Sequence, residues 1–167
     1  MQTLRRLCAG ALLTLAATCF AAQPSASLLH KPAPDFVRTD LHGQRIDLQA
    51  YRGQVVLLTF WATWCAPCQV EMPRFIAWQQ QYGPQGLQII AISMDDDAQP
   101  VERLLRKRHV NYPVIMGDVK LAELYGGVLG LPITYLIDRD GVIAARFKGE
   151  SNLDAMRSRM LQLLNKR

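Results

Sequence analysis

The sequence predicts an α/β domain built on a central mixed β-sheet with helices on both faces. Three observations carry that expectation. Two continuous apolar runs, "VVLLTFWA" (55–62) and "LQIIAISM" (87–94), have the composition of strands buried on both faces. Segments of helical periodicity separate the strand-like runs, and such alternation implies crossover connections in a mainly parallel sheet. A final strand pair, "ITYLIDRDGVIAARFKG", turns about Asp140-Gly141, a dipeptide suited to a tight antiparallel hairpin.

Taken in order, residues 23–34 ("QPSASLLHKPAP") are Pro- and Ser-rich and read as a flexible lead-in. The next stretch alternates apolar and polar positions around His42-Gly43, which predicts a small hairpin. The first buried strand follows, and then a helix carrying Met72, Phe75, Ile76, Trp78 and Tyr82 on one side until Gly83-Pro84 stops it. After the second buried strand, "PVERLLRKRH" reads as an amphipathic helix with Pro100 in its first turn. "YPVIMG" predicts a short strand and Val119 to Tyr125 a short helix, ended by Gly126-Gly127. The chain closes with the hairpin and an amphipathic helix from Leu153 to Leu164. There is no internal repeat, and residues 35–167 read as one domain.

The N-terminus has the order of an export signal. Arg5 and Arg6 precede an apolar run from Leu7 to Ala17, and Ala21 and Ala22 offer small residues for cleavage. The run is shorter than the ~18 residues of a spanning helix. Residues 1–22 are therefore expected to be a signal peptide and the mature protein periplasmic; an uncleaved signal would instead serve as a membrane anchor. Cleavage would remove 22 of the 167 residues and lower the net charge from +5 to +3. So mild an excess does not argue for a nucleic-acid partner. Cys8 and Cys19 would leave with the signal, and two cysteines do not make a disulfide-stapled scaffold.

The remaining pair lies in "WATWCAPCQVEMP", with Cys65 and Cys68 two residues apart at the junction of a buried strand and a helix. Amides without intrahelical partners and the helix dipole favour a thiolate at that place, and thiolate is the reactive form. Cys65 is thus the expected nucleophile and Cys68 the resolving thiol, the two closing a redox disulfide. Pro67 fits the first helical turn, where its missing N–H costs nothing. Zinc needs about four ligands. The sequence has no second cysteine pair, and His30, His42 and His109 are scattered, so no metal or cofactor is expected. A purely structural bridge over so short a loop would remove little chain entropy.

With "GLPITYLIDRDG" downstream, "FWATWCAPCQVEMP" resembles the thioredoxin superfamily, and within it the TlpA/ResA-like exported thiol–disulfide oxidoreductases, from about Pro34 to the C-terminus. The resemblance implies a thioredoxin-like fold with the N-terminal hairpin as an extension and a central βα insertion between Met94 and Gly130. It places Leu131-Pro132 at the family's cis-proline position, where the Leu131 backbone would offer strand-like hydrogen bonds to an extended substrate; an ordinary loop proline is the alternative. The substrate face would then comprise Trp64, Ala66, Pro67, Leu131 and Pro132, with Trp61 and Trp78 in the core.

Glu71, three residues after Cys68, matches a family glutamate that assists proton transfer. Cys68 must lose a proton to resolve a mixed disulfide, and a nearby carboxylate can take it; the alternative is a solvated glutamate that merely suits the helix dipole. Ordinary thioredoxins carry an aspartate where this chain has Thr59, which cannot act as a base. Pro73 is expected to bend the active-site helix. "SMDDDAQP" reads as a turn into the next helix rather than a metal loop, and "RLLRKRH" as a solvated face.

The resemblance points to a monomeric reductase of disulfides in exported proteins, recharged by a membrane thiol–disulfide donor, with apocytochrome c as a client. Two other readings are a disulfide oxidase and a thiol peroxidase. The first lacks the large helical insertion of DsbA-like oxidases. The second expects a threonine three residues before the nucleophile, where this chain has Ala62.

Overall fold

Strand β3 (Val55–Trp61) is the middle of a five-stranded sheet, and all seven of its residues are buried. The computed structural model describes residues 27–149 and 152–166, so the signal expected at 1–22 lies outside the described residues. An N-terminal hairpin, β1 (Val37–Thr39) and β2 (Arg45–Asp47), comes first. After β3 the chain runs through α1 (Ala66–Tyr82), β4 (Leu87–Ser93), α2 (Ala98–Arg108), β5 (Val114–Met116) and α3 (Val119–Leu124). It closes with β6 (Ile133–Ile137), β7 (Ile143–Lys148) and α4 (Leu153–Asn165). The sheet order is β5-β4-β3-β6-β7; β3, β4 and β5 are parallel, while β6 and β7 are antiparallel to their neighbours.

Side chains of a strand alternate between its faces, and β3 shows what this does. Val55, Leu57 and Trp61 join one apolar cluster with residues of α1, α2 and α4. Val56, Leu58 and Phe60 join a second with α3 and the segment from Ala33 to Leu48. The sheet is therefore covered on both sides, as the continuous apolar runs require.

Helix boundaries follow local chemistry. α2 starts two residues before Pro100 because Asp97 caps it, accepting the Gln99 amide at 3.0 Å. Pro100 falls in the first turn, where no helical acceptor awaits its absent N–H. The insertion β5–α3 is sewn to β4 by the Gly117 amide, which donates to Ser93 O at 2.7 Å. A Cβ on Gly117 would stand 2.7 Å from Met94 Sδ and 3.0 Å from that carbonyl, so only glycine fits.

From His30 to Ala33 the lead-in is held by the last hairpin. The His30 amide donates to Ile143 O at 2.8 Å, the Ile143 amide to Lys31 O at 2.9 Å, and the Ala33 amide to Gly141 O at 2.9 Å. Among the described residues no helix is long and apolar enough to cross a membrane.

Tyr125, fully buried at the end of α3, ties these parts together. Its ring lies 5.4 Å from those of Phe60 and Tyr135, its hydroxyl donates to Pro34 O at 2.7 Å, and its carbonyl accepts from the Tyr135 hydroxyl at 2.7 Å. Tyr125→Phe keeps the ring contacts but leaves the Pro34 carbonyl without this donor. The expected cost is about 1–2 kcal/mol in urea unfolding, with the slope of the transition unchanged.

Candidate active site

The site forms where β3 ends. The Met94 amide donates to Trp61 O at 2.8 Å, carrying the β3–β4 ladder one step further, and the chain then turns through Ala62–Trp64 into α1. Cys65 is the N-cap of α1, in extended conformation (φ −85°, ψ 101°), and its Sγ accepts the Cys68 amide at 3.3 Å. The sulfur thus occupies the place usually filled by a serine or aspartate oxygen, against amides that lack helical partners. Cys65 and Cys68 form a disulfide with their Cα atoms 5.3 Å apart.

Both cysteines are 4% exposed and belong to the apolar cluster under α1, whereas Trp64 is 70% exposed. Ala66 is also exposed and Pro67 half-buried. The Leu131–Pro132 peptide is cis; Leu131 packs against the cluster that contains the cysteines, and Pro132 is buried at the start of β6. Trp61 and Trp78 are in the core. Pro73 lies inside α1, which continues through it, so the Gln69 carbonyl lacks its usual helical donor.

Glu71 is 4% exposed, on the inward side of α1, so the alternative of a solvated glutamate does not hold. It shares a cavity of about 10 Å³ with Cys68, Thr59, Trp61 and Tyr112. That space is about enough for one water molecule. Burial pushes the Tyr112 phenol well above its ordinary pKa, so Tyr112 stays protonated at neutral pH and cannot take a proton there. Beneath the cysteines, the hydroxyls of Thr59 and Thr134 hydrogen-bond across β3 and β6 at 2.9 Å. On its outer side Glu71 borders a groove of about 450 Å³ between α1 and α4, with Pro67, Arg74 and Arg157 among its walls.

The three adjacent aspartates of "SMDDDAQP" part company. Asp97 caps α2 and Asp96 is exposed, but Asp95 turns to the redox loop, accepting the Thr63 amide at 2.9 Å and the Thr63 hydroxyl. The sequence reading missed this contact. The available signal was position: Asp95 follows the second buried strand, whose end in a parallel pair must lie beside the end of the first. Among the described residues no three His, Cys, Asp or Glu side chains converge as a metal site.

A vicinal cysteine pair at a helix N-terminus on this sheet defines a thiol–disulfide oxidoreductase of thioredoxin-like fold. The chain belongs to the AhpC/TSA family, whose model matches residues 29–146. It is similar to the thiol-disulfide oxidoreductase ResA of Bacillus anthracis, with 36% identity over 127 residues that make up 75% of this chain and 73% of that protein. ResA of Geobacillus kaustophilus is 35% identical over 126 residues, 75% of this chain and 72% of that one. Among solved structures, a Chlorobium tepidum protein described as a thiol:disulfide interchange protein DsbE superposes with a TM-score of 0.73 at 32% identity, covering 80% of this chain and 96% of that one. A secreted thiol-disulfide isomerase from Corynebacterium glutamicum gives 0.73 at 25% identity, covering 80% and 86%.

Thr59→Val strands the Thr134 hydroxyl in a buried setting and is expected to cost about 1–3 kcal/mol. Replacing both threonines by valine should recover most of that loss, because no polar group is then left unpaired. Denaturant unfolding of the two single variants and the double variant measures the coupling.

Proposed function

We propose that the chain is a periplasmic reductase of disulfides in exported proteins, with cysteines of apocytochrome c among its clients. The observation that carries this reading is the Cys65 sulfur held as the cap of α1. A thiolate there is stabilised by the same Cys68 amide and by the helix dipole. Similarity to ResA proteins supports exchange chemistry, and Ala62 in place of a threonine before Cys65 speaks against a peroxidase.

In the proposed cycle the Cys65 thiolate attacks one sulfur of a substrate disulfide. A Cys65–substrate bond forms, the substrate S–S bond breaks, and the departing thiolate takes a proton. Cys68 then gives its proton to Glu71 and attacks Cys65 Sγ, releasing the second substrate thiol. The substrate gains two electrons, and the protein is left with the Cys65–Cys68 disulfide. A membrane thiol–disulfide donor would return it to the dithiol. Trp64, Ala66, Pro67, Leu131 and Pro132 are proposed as the substrate face, with the protein working as a monomer. Residues 1–22 are proposed as the signal that directs export, or as an anchor if they are retained.

The first test is the Cys65–Cys68 reduction potential. A value near or below about −220 mV is expected of a reductase. A value near the ~−120 mV of a strong oxidant would reverse the direction of the chemistry. Cys65→Ser should abolish insulin disulfide reduction, while Cys68→Ser should accumulate the mixed disulfide on non-reducing gels. Glu71→Gln is expected to slow resolution about 100-fold while leaving the first attack within about twofold, read by rapid quenching of each step.

A further inference from the structure

Beyond β3, Ala62 is still packed in the core, but the last two residues before Cys65 are not. Thr63 is half-buried and Trp64 stands out at the surface. Thr63 is held by hydrogen bonds, and those to its amide and hydroxyl converge on one residue. The Thr63 amide and hydroxyl both donate to Asp95, one to each carboxylate oxygen, and the Ser93 hydroxyl donates to Asp95 Oδ2 at 2.7 Å. The Asp95 amide returns a bond to Ser93 Oγ at 3.2 Å, fixing the carboxylate to the end of β4. From the other side, Gln69 Nε2 donates to the Thr63 carbonyl at 2.6 Å, and the Gln69 amide donates to the Cys65 carbonyl at 3.2 Å. Every polar group of Thr63 is therefore engaged, two residues before the nucleophile.

We propose that Asp95 is a positioning residue for the thiol–disulfide chemistry: through Thr63 it holds the extended approach to Cys65, and so keeps Cys65 Sγ on the Cys68 amide. The inference rests on the reading of Cys65 as nucleophile. It also separates two geometric requirements of the site. The spacing of Cys65 and Cys68 is set by the helical turn they share, which Asp95 does not touch. The cap conformation of Cys65 is set by the segment before it, which Asp95 does hold.

Loss of the clamp should therefore spare the disulfide and penalise the thiolate. A hydrogen bond to a charged sulfur is stronger than one to a disulfide sulfur, so a loosened cap costs the reduced form more. The exchange equilibrium then moves toward the disulfide, and Cys65 attacks more slowly at neutral pH.

The test uses the full chain with Cys8 and Cys19 replaced by alanine, so that one cysteine pair reports. Potential is measured by equilibration in glutathione buffers and attack by insulin reduction. Asp95→Ala should shift the equilibrium about three- to tenfold toward disulfide, which for a two-electron couple is about 15–30 mV more negative. Its rate of attack should fall about tenfold. Thr63→Val, which keeps the backbone bond, should move both quantities the same way by a smaller factor, and Thr63→Ser should match the parent in both. Should Asp95→Ala fail to fold, Thr63→Val carries the test alone. Parental potential and rate in the folded Asp95→Ala protein, or in Thr63→Val where it carries the test, would overturn the proposal. Insulin reduction that survives Cys65→Ser would overturn the nucleophile assignment instead, and the two failures are separately visible.

Discussion

The structure depends on a single electrostatic demand: the first turn of α1 needs an acceptor, and for the Cys68 amide the sequence supplies sulfur rather than oxygen. An oxygen cap would satisfy the helix and do nothing more. A sulfur cap satisfies it in either redox state and holds a thiolate more strongly than a disulfide, so helix stability and thiol reactivity are drawn from the same bond. The surrounding architecture serves this placement. β3 delivers the chain to the cap, β4 ends beside it in register, with Trp61 opposite Ser93, and β6 begins beside it with the cis-proline.

The two faces of the sheet divide the work. One apolar cluster contains the cysteines and three helices, so both sulfurs sit in a largely apolar setting; the other locks the N-terminal hairpin and α3 onto the sheet. Because the cysteines are nearly covered while Trp64 is open to solvent, a partner meets the rim of the site before it meets sulfur.

The central strands were legible in the sequence because each is a nearly continuous apolar run, buried at all seven positions of β3 and at all but Gln88 in β4, and the last hairpin because Asp140-Gly141 marks its turn. The cysteine pair was legible because its placement after a strand and before a helix is itself the chemical argument. Other features depend on who lies next to whom. Asp95 reaches Thr63 across 32 residues, a contact that exists only once β3 and β4 pair in register. Glu71 looked like a solvated charge as readily as a buried one, since a carboxylate on a helix does not announce which side it faces. The lead-in looked flexible by composition, yet backbone pairing along a sheet edge needs no particular side chain, and His30 to Ala33 use it.

That edge pairing also gives the domain a polarity. β6 runs away from the site, with Phe60 opposite Ile133 near the cysteines and Val56 opposite Ile137 at the far end. The turn beyond Ile137 is where Lys31 to Ala33 are fastened. The polypeptide therefore enters the domain at the pole opposite Cys65. Among the described residues, the first to pair with the sheet and the reactive sulfur lie at opposite ends of β6.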